Sequence, residues 1–140
     1  MPIRTPYVAT DCIIECHDRE GAFRGIVLIT RKNPPRGLAI PGGFVEVGER
    51  VEEACVREMR EETGLVVEGL RLLGVYSDPE RDPRFHTVSI VYVGRAVGEP
   101  HGGDDAESAA LFHPSRLPWD RLVFDHAEIL RDYLDTKEPR

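Results

Sequence analysis

The stretch of residues 49–63 constrains this chain most strongly, because it predicts a helix with acidic side chains on its apolar face. Its residues are good helix formers, no glycine or proline interrupts them, and Gly64 follows where a helix can end. At about 100° per residue, Glu58 and Glu62 fall within the apolar stripe. A helix that served packing alone would carry apolar residues there. The stripe consists of Val51, Ala54, Cys55 and Met59.

The acidic residues of this helix point to a divalent metal. Glu58, Glu61 and Glu62 are spaced so that their carboxylates meet on one patch, and burying such a patch uncompensated costs several kcal/mol. Mg²⁺ removes the repulsion, since it takes oxygen ligands from carboxylates and substrate phosphates, and Mn²⁺ accepts similar ligands. The alternative is a solvated acidic face with glutamate–arginine pairs. The interrupted stripe and the preceding Pro-Gly-Gly, residues 41–43, favour a metal site.

Residues 43–65 resemble the Nudix signature, because every fixed position of that signature is filled at the required spacing. The resemblance implies an α/β fold, namely the Nudix α/β/α sandwich with a mixed β-sheet, in a single domain over residues 1–140. It also implies Mg²⁺-dependent cleavage of a nucleoside diphosphate linked to another moiety. The matching residues are Gly43, Glu49, Arg57, Glu58, Met59, Glu61, Glu62, Gly64 and Leu65.

The resemblance also implies roles for particular side chains. Arg57 would orient Glu58, and Glu61 would complete the catalytic group on this helix. Glu58 is the ligand whose loss should be most severe, although it could also be the general base, and the residues alone do not separate these roles. The metal ligands implied by the family are Glu58, Glu61, Glu62 and the backbone carbonyl of Gly42 or Gly43.

Many members of the family carry a further acid on a later loop, as a metal ligand or as the base for water. The usual position corresponds to Ser108 in this chain, with Glu107 one place early. This departure leaves Asp104, Asp105 and Glu107 as competing candidates for a base on that loop.

Two short runs resemble a subset of Nudix enzymes that act on ADP-ribose. One covers much of residues 76–89, a charged loop that contains two prolines and leads into a strand, and the other is Phe124-Asp125-His126. Because prolines stiffen a loop, this segment is expected to hold a defined shape. The runs favour ADP-ribose, a nucleotide-sugar, as the substrate, which would be hydrolysed to AMP and ribose 5-phosphate.

Candidate substrate contacts lie in three places: a strand exit expected near the Pro-Gly-Gly bend, the bend itself and the loop within residues 76–89. The loop arginines can grip a diphosphate or a ribose, an arginine at a strand exit can reach phosphate, and an aromatic ring can stack on a base. For either loop arginine, an ion pair with a nearby aspartate is an equal alternative. A glycine at the bend lets backbone approach a ligand closely. The candidates are Arg31, Gly43, Tyr76, Arg81, Arg84 and Phe85.

Composition excludes some partners. The net charge of −7 argues against broad nucleic-acid binding, which needs a basic patch, and weakly against anionic membranes. No run of 18 apolar residues and no signal-peptide pattern is visible, so a cytoplasmic location is expected.

The three cysteines form no CxxC pair and are interpreted as reduced, buried thiols. A homodimer is expected because family members of this kind often pair.

Alternating or β-branched runs predict strands at residues 7–16, 25–31, 66–76, 86–96 and 106–112, and residues 125–135 predict a closing helix.

Two rival functions remain open. The same signature serves enzymes that cleave oxidised nucleoside triphosphates, sugar nucleotides or dinucleotides. A non-catalytic sensor of ADP-ribose-type ligands is the second rival, and the complete signature and the lack of a basic DNA-binding helix oppose it.

Overall fold

The computed structural model describes residues 2–103 and 106–137. Within these residues the chain forms a seven-stranded mixed sheet with one α-helix on each face. The strands are β1 (Tyr7–His17), β2 (Phe23–Arg31), β3 (Leu38–Ala39), β4 (Gly42–Phe44), β5 (Glu68–Tyr76), β6 (Thr87–Val97) and β7 (Ala106–Phe112). The helices are α1 (Val51–Thr63) and α2 (His126–Lys137), and short 3₁₀ turns lie at Pro114–Arg116 and Trp119–Arg121.

The first strand is the centre of the sheet. β1 pairs in parallel with β6 from Tyr7–Thr87 to His17–Val97, and β6 continues to β5. Towards its end, β1 pairs antiparallel with the beginning of β2, which pairs with β7 on its other side. Residues 9–11 of β1 instead pair with β4, while the end of β2 pairs with β3. β1 and β2 therefore diverge, and residues 38–44 occupy the gap.

The two helices cover opposite faces of this sheet, which confirms the predicted sandwich. Alternation along β1 places Cys12 towards α1 and Ile13 towards α2. Against α1 the buried cluster includes Cys12, Ile14, Cys16, Val27, Cys55, Met59 and Tyr92. Against α2 it includes Ile13, Ile26, Leu28, Val91, Val93, Ile129, Leu130 and Tyr133.

Helix α1 begins later than the sequence pattern predicts. Glu49 lies before the helix, in a turn in which its N–H donates to the Glu46 carbonyl over 3.0 Å. At the true start, the Glu53 side chain accepts from the Arg50 N–H at 2.9 Å, which satisfies one of the free N–H groups of a helix end. Gly64 ends the helix with φ of 76°, as predicted. Because Glu49 lies outside the helix, its carboxylate can accept hydrogen bonds from Arg57.

The other element predictions agree with the structure within a few residues. β5 begins at Glu68 rather than at residue 66, and its pairing with β6 is irregular between Glu68 and Arg71. All three cysteines are buried and free, as predicted. Within the described ranges, neither helix combines the length and apolar composition that a bilayer crossing requires.

We expect the α2 face to contribute strongly to stability. Leu130 is fully buried, so Leu130→Ala removes apolar contacts and leaves a cavity, which typically lowers the free energy of unfolding by about 2–5 kcal/mol. Denaturant titration measures the difference. The fully exposed Val47 provides the control, since Val47→Ala should change stability by less than about 0.5 kcal/mol. Equal effects of the two substitutions would contradict the packing described here.

Candidate active site

A cavity of about 410 Å³ opens where β1 and β2 diverge. Its walls come from strands β1 and β2, the segment that contains β3 and β4, helix α1, the loop between β5 and β6, and the segment that leads into α2. Acidic and basic side chains meet in this space, including Glu58, Glu62, Arg31, Arg81 and Arg84. The acidic face of α1 and the arginine-bearing loop, which are distant in sequence, therefore line the same cavity.

Arg57 holds the acidic side of the cavity together. Its Nε and Nη2 donate to the two carboxylate oxygens of Glu49 at 2.7 and 2.9 Å. Its Nη1 donates to Glu58 at 3.1 Å and to Glu61 at 3.0 Å, and Nη2 also donates to the Phe44 carbonyl at 3.1 Å. Arg57 thus contacts Glu58 as its expected orienting role requires, and the role itself stays a prediction.

Electrostatics around Arg57 follow from these contacts. The hydrogen bond from Arg57 is the main reason that the pKa of Glu49 falls to about 2. In return, the hydrogen bond to Glu49 raises the pKa of Arg57. One guanidinium therefore offsets the repulsion among Glu49, Glu58 and Glu61, so glutamate–arginine pairs are present on this helix.

The three predicted metal-binding acids occupy different environments. Glu62 is buried with 2% exposure, the Glu58 side chain is 13% exposed, and that of Glu61 is 40% exposed. Glu58 and Glu62 line the cavity. A β-carbon on Gly43 would collide with the Glu58 carboxylate, so the glycine lets this acid lie directly against the β4 backbone.

These donors fit a hard divalent cation in chemistry, although not as a finished cage. Among the described residues, no three acidic, histidine or cysteine side chains are arranged to hold an ion, and Glu61 contacts Arg57. The Glu58 carboxylate lies against the Gly43 backbone, and carboxylate and carbonyl oxygens are the ligands that Mg²⁺ and Mn²⁺ prefer. Glu58, Glu62 and the Gly42 or Gly43 carbonyl would hold the ion, and Glu61 stays a predicted ligand.

The two loop arginines are anchored differently. Arg81 is buried and donates to both carboxylate oxygens of Asp125 at 2.9 and 2.7 Å, which ties the loop to the start of α2. Arg84 pairs with Asp82 inside the loop at 3.0 and 2.8 Å. Both arginines line the cavity. Both guanidinium groups are engaged in ion pairs, but the Arg84 side chain is 36% exposed and that of Arg81 only 4%, so Arg84 is the better placed of the two for substrate.

Phe124 forms an aromatic contact for two cavity arginines. The Arg31 guanidinium lies 5.0 Å from the Phe124 ring centre, and that of Arg84 lies 5.4 Å from it, within cation–π range. Phe124 has φ of 56°, an unfavourable value for a bulky residue. Arg31 is further fixed because its Nε donates to the Pro35 carbonyl at 2.8 Å. The predicted strand-exit arginine thus does reach the cavity.

Two cavity residues, Asp11 and His126, were not assigned a role from sequence. The His126 Nδ1 accepts the Ile40 backbone N–H at 2.9 Å, and burial lowers the pKa of His126 to about 4. The Asp11 carboxylate accepts a hydrogen bond from the Ser89 hydroxyl. A charged residue inside the predicted strand of residues 7–16 was a visible clue to Asp11, because strands at the centre of a mixed sheet are apolar on both faces.

Other predicted residues lie elsewhere. Tyr76 packs beside α2 and donates to Asp132 at 2.7 Å, a position that does not support stacking on a substrate base. Phe85 packs on Tyr7, with ring centres 4.6 Å apart, at a surface next to the cavity. Glu107 is exposed on β7, outside the cavity lining. Asp104 and Asp105 lie outside the described residues.

Comparison with known proteins identifies the class that this fold and site belong to. The family model for the NUDIX domain matches residues 6–133. The chain therefore belongs to the Nudix family, as the signature predicted.

Individual relatives agree with this assignment. An ADP-ribose pyrophosphatase of Methanocaldococcus jannaschii is 51% identical over 135 residues, which cover 94% of this chain and 75% of the relative. A putative 8-oxo-dGTP diphosphatase of Bacillus subtilis is 38% identical over 95 residues, covering 66% of this chain and 60% of the relative. A MutT/nudix family protein from Enterococcus faecalis superposes with a TM-score of 0.82 at 29% identity, over 97% of this chain and 63% of that protein.

We expect acid to destabilise the fold through His126. The folded state keeps the ring neutral down to a pKa of about 4, whereas the unfolded chain takes up a proton below about 6.5. The neutral His126 ring therefore makes its full contribution to the free energy of unfolding above about pH 6.5, and this contribution is lost as the pH falls towards 4. Between pH 7 and pH 5 the loss is about 2 kcal/mol of unfolding free energy, measurable by denaturant titration.

The control for this prediction removes the titrating ring. His126→Asn keeps an acceptor oxygen for the Ile40 N–H and should lack the extra loss of stability between pH 7 and pH 5. His113→Asn, which replaces an exposed ring, should behave as the unmodified protein does. The same pH dependence in all three proteins would contradict the assignment to His126.

Proposed function

We propose that this protein hydrolyses ADP-ribose to AMP and ribose 5-phosphate with Mg²⁺ bound at α1, Mn²⁺ being an alternative ion. The observation that carries the proposal is the single cavity that joins Glu58 and Glu62 to Arg31 and Arg84. Such a space can hold a diphosphate between a metal-binding wall and a cationic wall. The 51% identical ADP-ribose pyrophosphatase, aligned over most of the chain, supports this choice of substrate.

The acidic wall would hold the ion through Glu58 and Glu62, with Glu61 as the third predicted ligand. A bound divalent ion supplies an activated water at neutral pH and stabilises charge on phosphate oxygens. Arg57 keeps Glu58 in place through the 3.1 Å hydrogen bond. Because the same guanidinium also binds Glu49 and Phe44, the helix and the glycine segment remain in register during the reaction.

The cationic wall would hold the diphosphate. Arg31 and Arg84 both contact the Phe124 ring, so their side chains are restrained before substrate arrives and lose little freedom on binding. Guanidinium groups match phosphate oxygens in geometry and keep their charge at all physiological pH values. These arginines would position the diphosphate and stabilise the charge that develops on the departing phosphate.

Glu58 is better placed than Glu107 to be the general base, a role that it would have instead of binding the ion. It lines the cavity, whereas Glu107 is exposed on β7 and does not. Glu58 also contacts Arg57, which fixes its direction. The expected homodimer and the cytoplasmic location stay predictions.

A second candidate function is cleavage of another nucleotide. The 38% identical relative named as a putative 8-oxo-dGTP diphosphatase favours an oxidised nucleoside triphosphate. Both substrates would place a diphosphate at the same acids, so they differ in what lies beyond it. A panel of nucleotides that includes ADP-ribose and 8-oxo-dGTP separates the two candidates by the ratio of kcat/KM values.

We expect purified protein to release AMP and ribose 5-phosphate from ADP-ribose when Mg²⁺ is present, and to stop when a chelator is added. Glu58→Gln and Glu62→Gln should each lower kcat by more than about 100-fold, because a direct ligand contributes more than the outer contacts that typically contribute 10–100-fold. Chromatography with mass detection measures both products.

Glu20→Gln is the matched control, since Glu20 is exposed in the turn between β1 and β2, and it should retain full activity. A loss in Glu107→Gln as large as that in Glu58→Gln would move the base to β7. Absence of AMP, together with cleavage of another nucleotide in the panel, would overturn the ADP-ribose assignment. Tight binding of ADP-ribose without any cleavage would favour the ligand sensor.

Arg84→Lys tests the cationic wall. Lysine keeps the charge but loses the planar fork and the contact with Phe124, so KM for ADP-ribose should rise by about 10-fold or more. The fold should be unaffected, as judged by thermal melting. Arg24→Lys, an exposed substitution at the start of β2, should leave KM unchanged, and an equal rise in both variants would contradict a role specific to Arg84.

A further inference from the structure

The floor of the cavity carries two polar side chains that the proposed reaction does not use. Asp11, on β1, is 8% exposed, and His126, at the start of α2, is 3% exposed. Both line the cavity. Burying such groups is costly unless their hydrogen-bonding capacity is satisfied, so the atoms that face the cavity invite a complementary ligand group.

His126 presents a fixed donor. Its Nδ1 accepts the Ile40 N–H at 2.9 Å, in a buried hydrogen bond. A neutral imidazole that accepts at Nδ1 carries its hydrogen on Nε2. Burial lowers the pKa of His126 to about 4, so this neutral form persists at physiological pH. No contact within the described residues engages the Nε2–H, which leaves it to donate to a ligand.

Asp11 presents a fixed acceptor. The buried Ser89 hydroxyl donates to its Oδ2, which holds the carboxylate in one orientation. Its Oδ1 lies against the backbone of Gly42, where a β-carbon would collide with it. Glycine at position 42 therefore makes room for the carboxylate at the cavity wall, in addition to allowing the bend.

His126 and Asp11 contact backbone positions two residues apart. His126 contacts the backbone of Ile40, and Asp11 lies against Gly42. These two backbone positions are separated by at most about 7 Å, the reach of two residues. The electrostatic influence of Asp11 on the pKa of His126 agrees with this proximity.

We propose that Asp11 and His126 form a site for a ribose hydroxyl: the hydroxyl donates to the Asp11 carboxylate and accepts from the His126 Nε2–H. A hydroxyl fits because it donates and accepts through one atom. A phosphate oxygen does not fit, since it has no hydrogen to give and is repelled by the carboxylate. This inference rests on the proposed function and deepens it, because it names the part of the substrate that the floor recognises.

ADP-ribose contains two riboses, and both have the required chemistry. Diphosphate bound by Arg31 and Arg84 would place either sugar next to the floor. Three ligands identify which ribose is bound. ADP-ribose contains both riboses, ADP contains the adenosine ribose alone, and inorganic pyrophosphate contains neither. A base edge with adjacent donor and acceptor atoms is the competing ligand group.

The test is calorimetric binding in the presence of chelator, which prevents turnover. Asp11→Asn and His126→Asn should each weaken ADP-ribose binding roughly 10-fold, as expected for the loss of one buried hydrogen bond, and neither should weaken pyrophosphate binding more than about twofold. His126→Asn keeps an oxygen for the Ile40 N–H, and Asp11→Asn keeps an oxygen for Ser89, so both should retain the melting temperature. His113→Asn is the matched control outside the cavity.

The ligand series decides between the sources. An unchanged affinity for ADP in the variants assigns the site to the terminal ribose. A matching loss for ADP assigns it to the adenosine ribose, provided that the unmodified protein also binds 2′,3′-dideoxy-ADP roughly 10-fold more weakly than ADP. Equal binding of ADP and its dideoxy analogue in that case would mean that the base is read, and would overturn the proposal.

Failure of the site and failure of the proposed reaction give different results. Folded variants that bind ADP-ribose as tightly as the unmodified protein overturn the hydroxyl site and leave the reaction untouched. Equal losses for pyrophosphate and ADP-ribose also overturn it, since the pair would then act on the diphosphate. Absence of AMP release by the unmodified protein, with the expected pattern of binding, removes the reaction and leaves the hydroxyl site in place. If either variant fails to fold, the other carries the test.

Discussion

The structure around the cavity depends on the contacts of one guanidinium. Arg57 binds Glu49, Glu58, Glu61 and the Phe44 carbonyl at once, so it connects the segment before α1, the helix itself and strand β4. Its side chain is only 26% exposed, which shields these interactions from solvent more than at an open surface. Without it, the acids of α1 would repel each other beside a buried cavity, and β4 would lose a fixed distance to the helix.

The second constraint is the divergence of β1 and β2. Two paired antiparallel strands leave no space between them, yet here residues 38–44 separate the strands and expose the ends of both to one cavity. Glycines at positions 42 and 43 make this possible, because side chains there would collide with Asp11 and Glu58. The same two residues thus shape the backbone and admit one carboxylate on each side of it.

The helices and long strands were predictable because their patterns are local, whereas the sandwich arrangement was implied by the resemblance to the Nudix signature. Periodicity located both helices and the long strands, and acids inside an apolar stripe marked the α1 face of the cavity. The sequence did not predict the floor of the cavity. Asp11, Ser89 and His126 are brought together by a parallel strand pair and by the docking of α2, and no local pattern reveals these contacts. Tyr76 was misplaced for a related reason: the sequence shows which residues lie on one loop, but not that this ring packs beside Asp132.

The parallel pairing of β1 with β6 has a consequence for biosynthesis. Each residue of β1 pairs with a residue eighty positions later, so the central strand emerges from the ribosome long before its partner exists. Until then its apolar faces cannot be covered by the complete sheet, and contacts between distant segments form slowly. Synthesis must therefore have passed α2 before the floor of the cavity can assemble, and protection of the nascent first strand becomes part of producing a folded molecule.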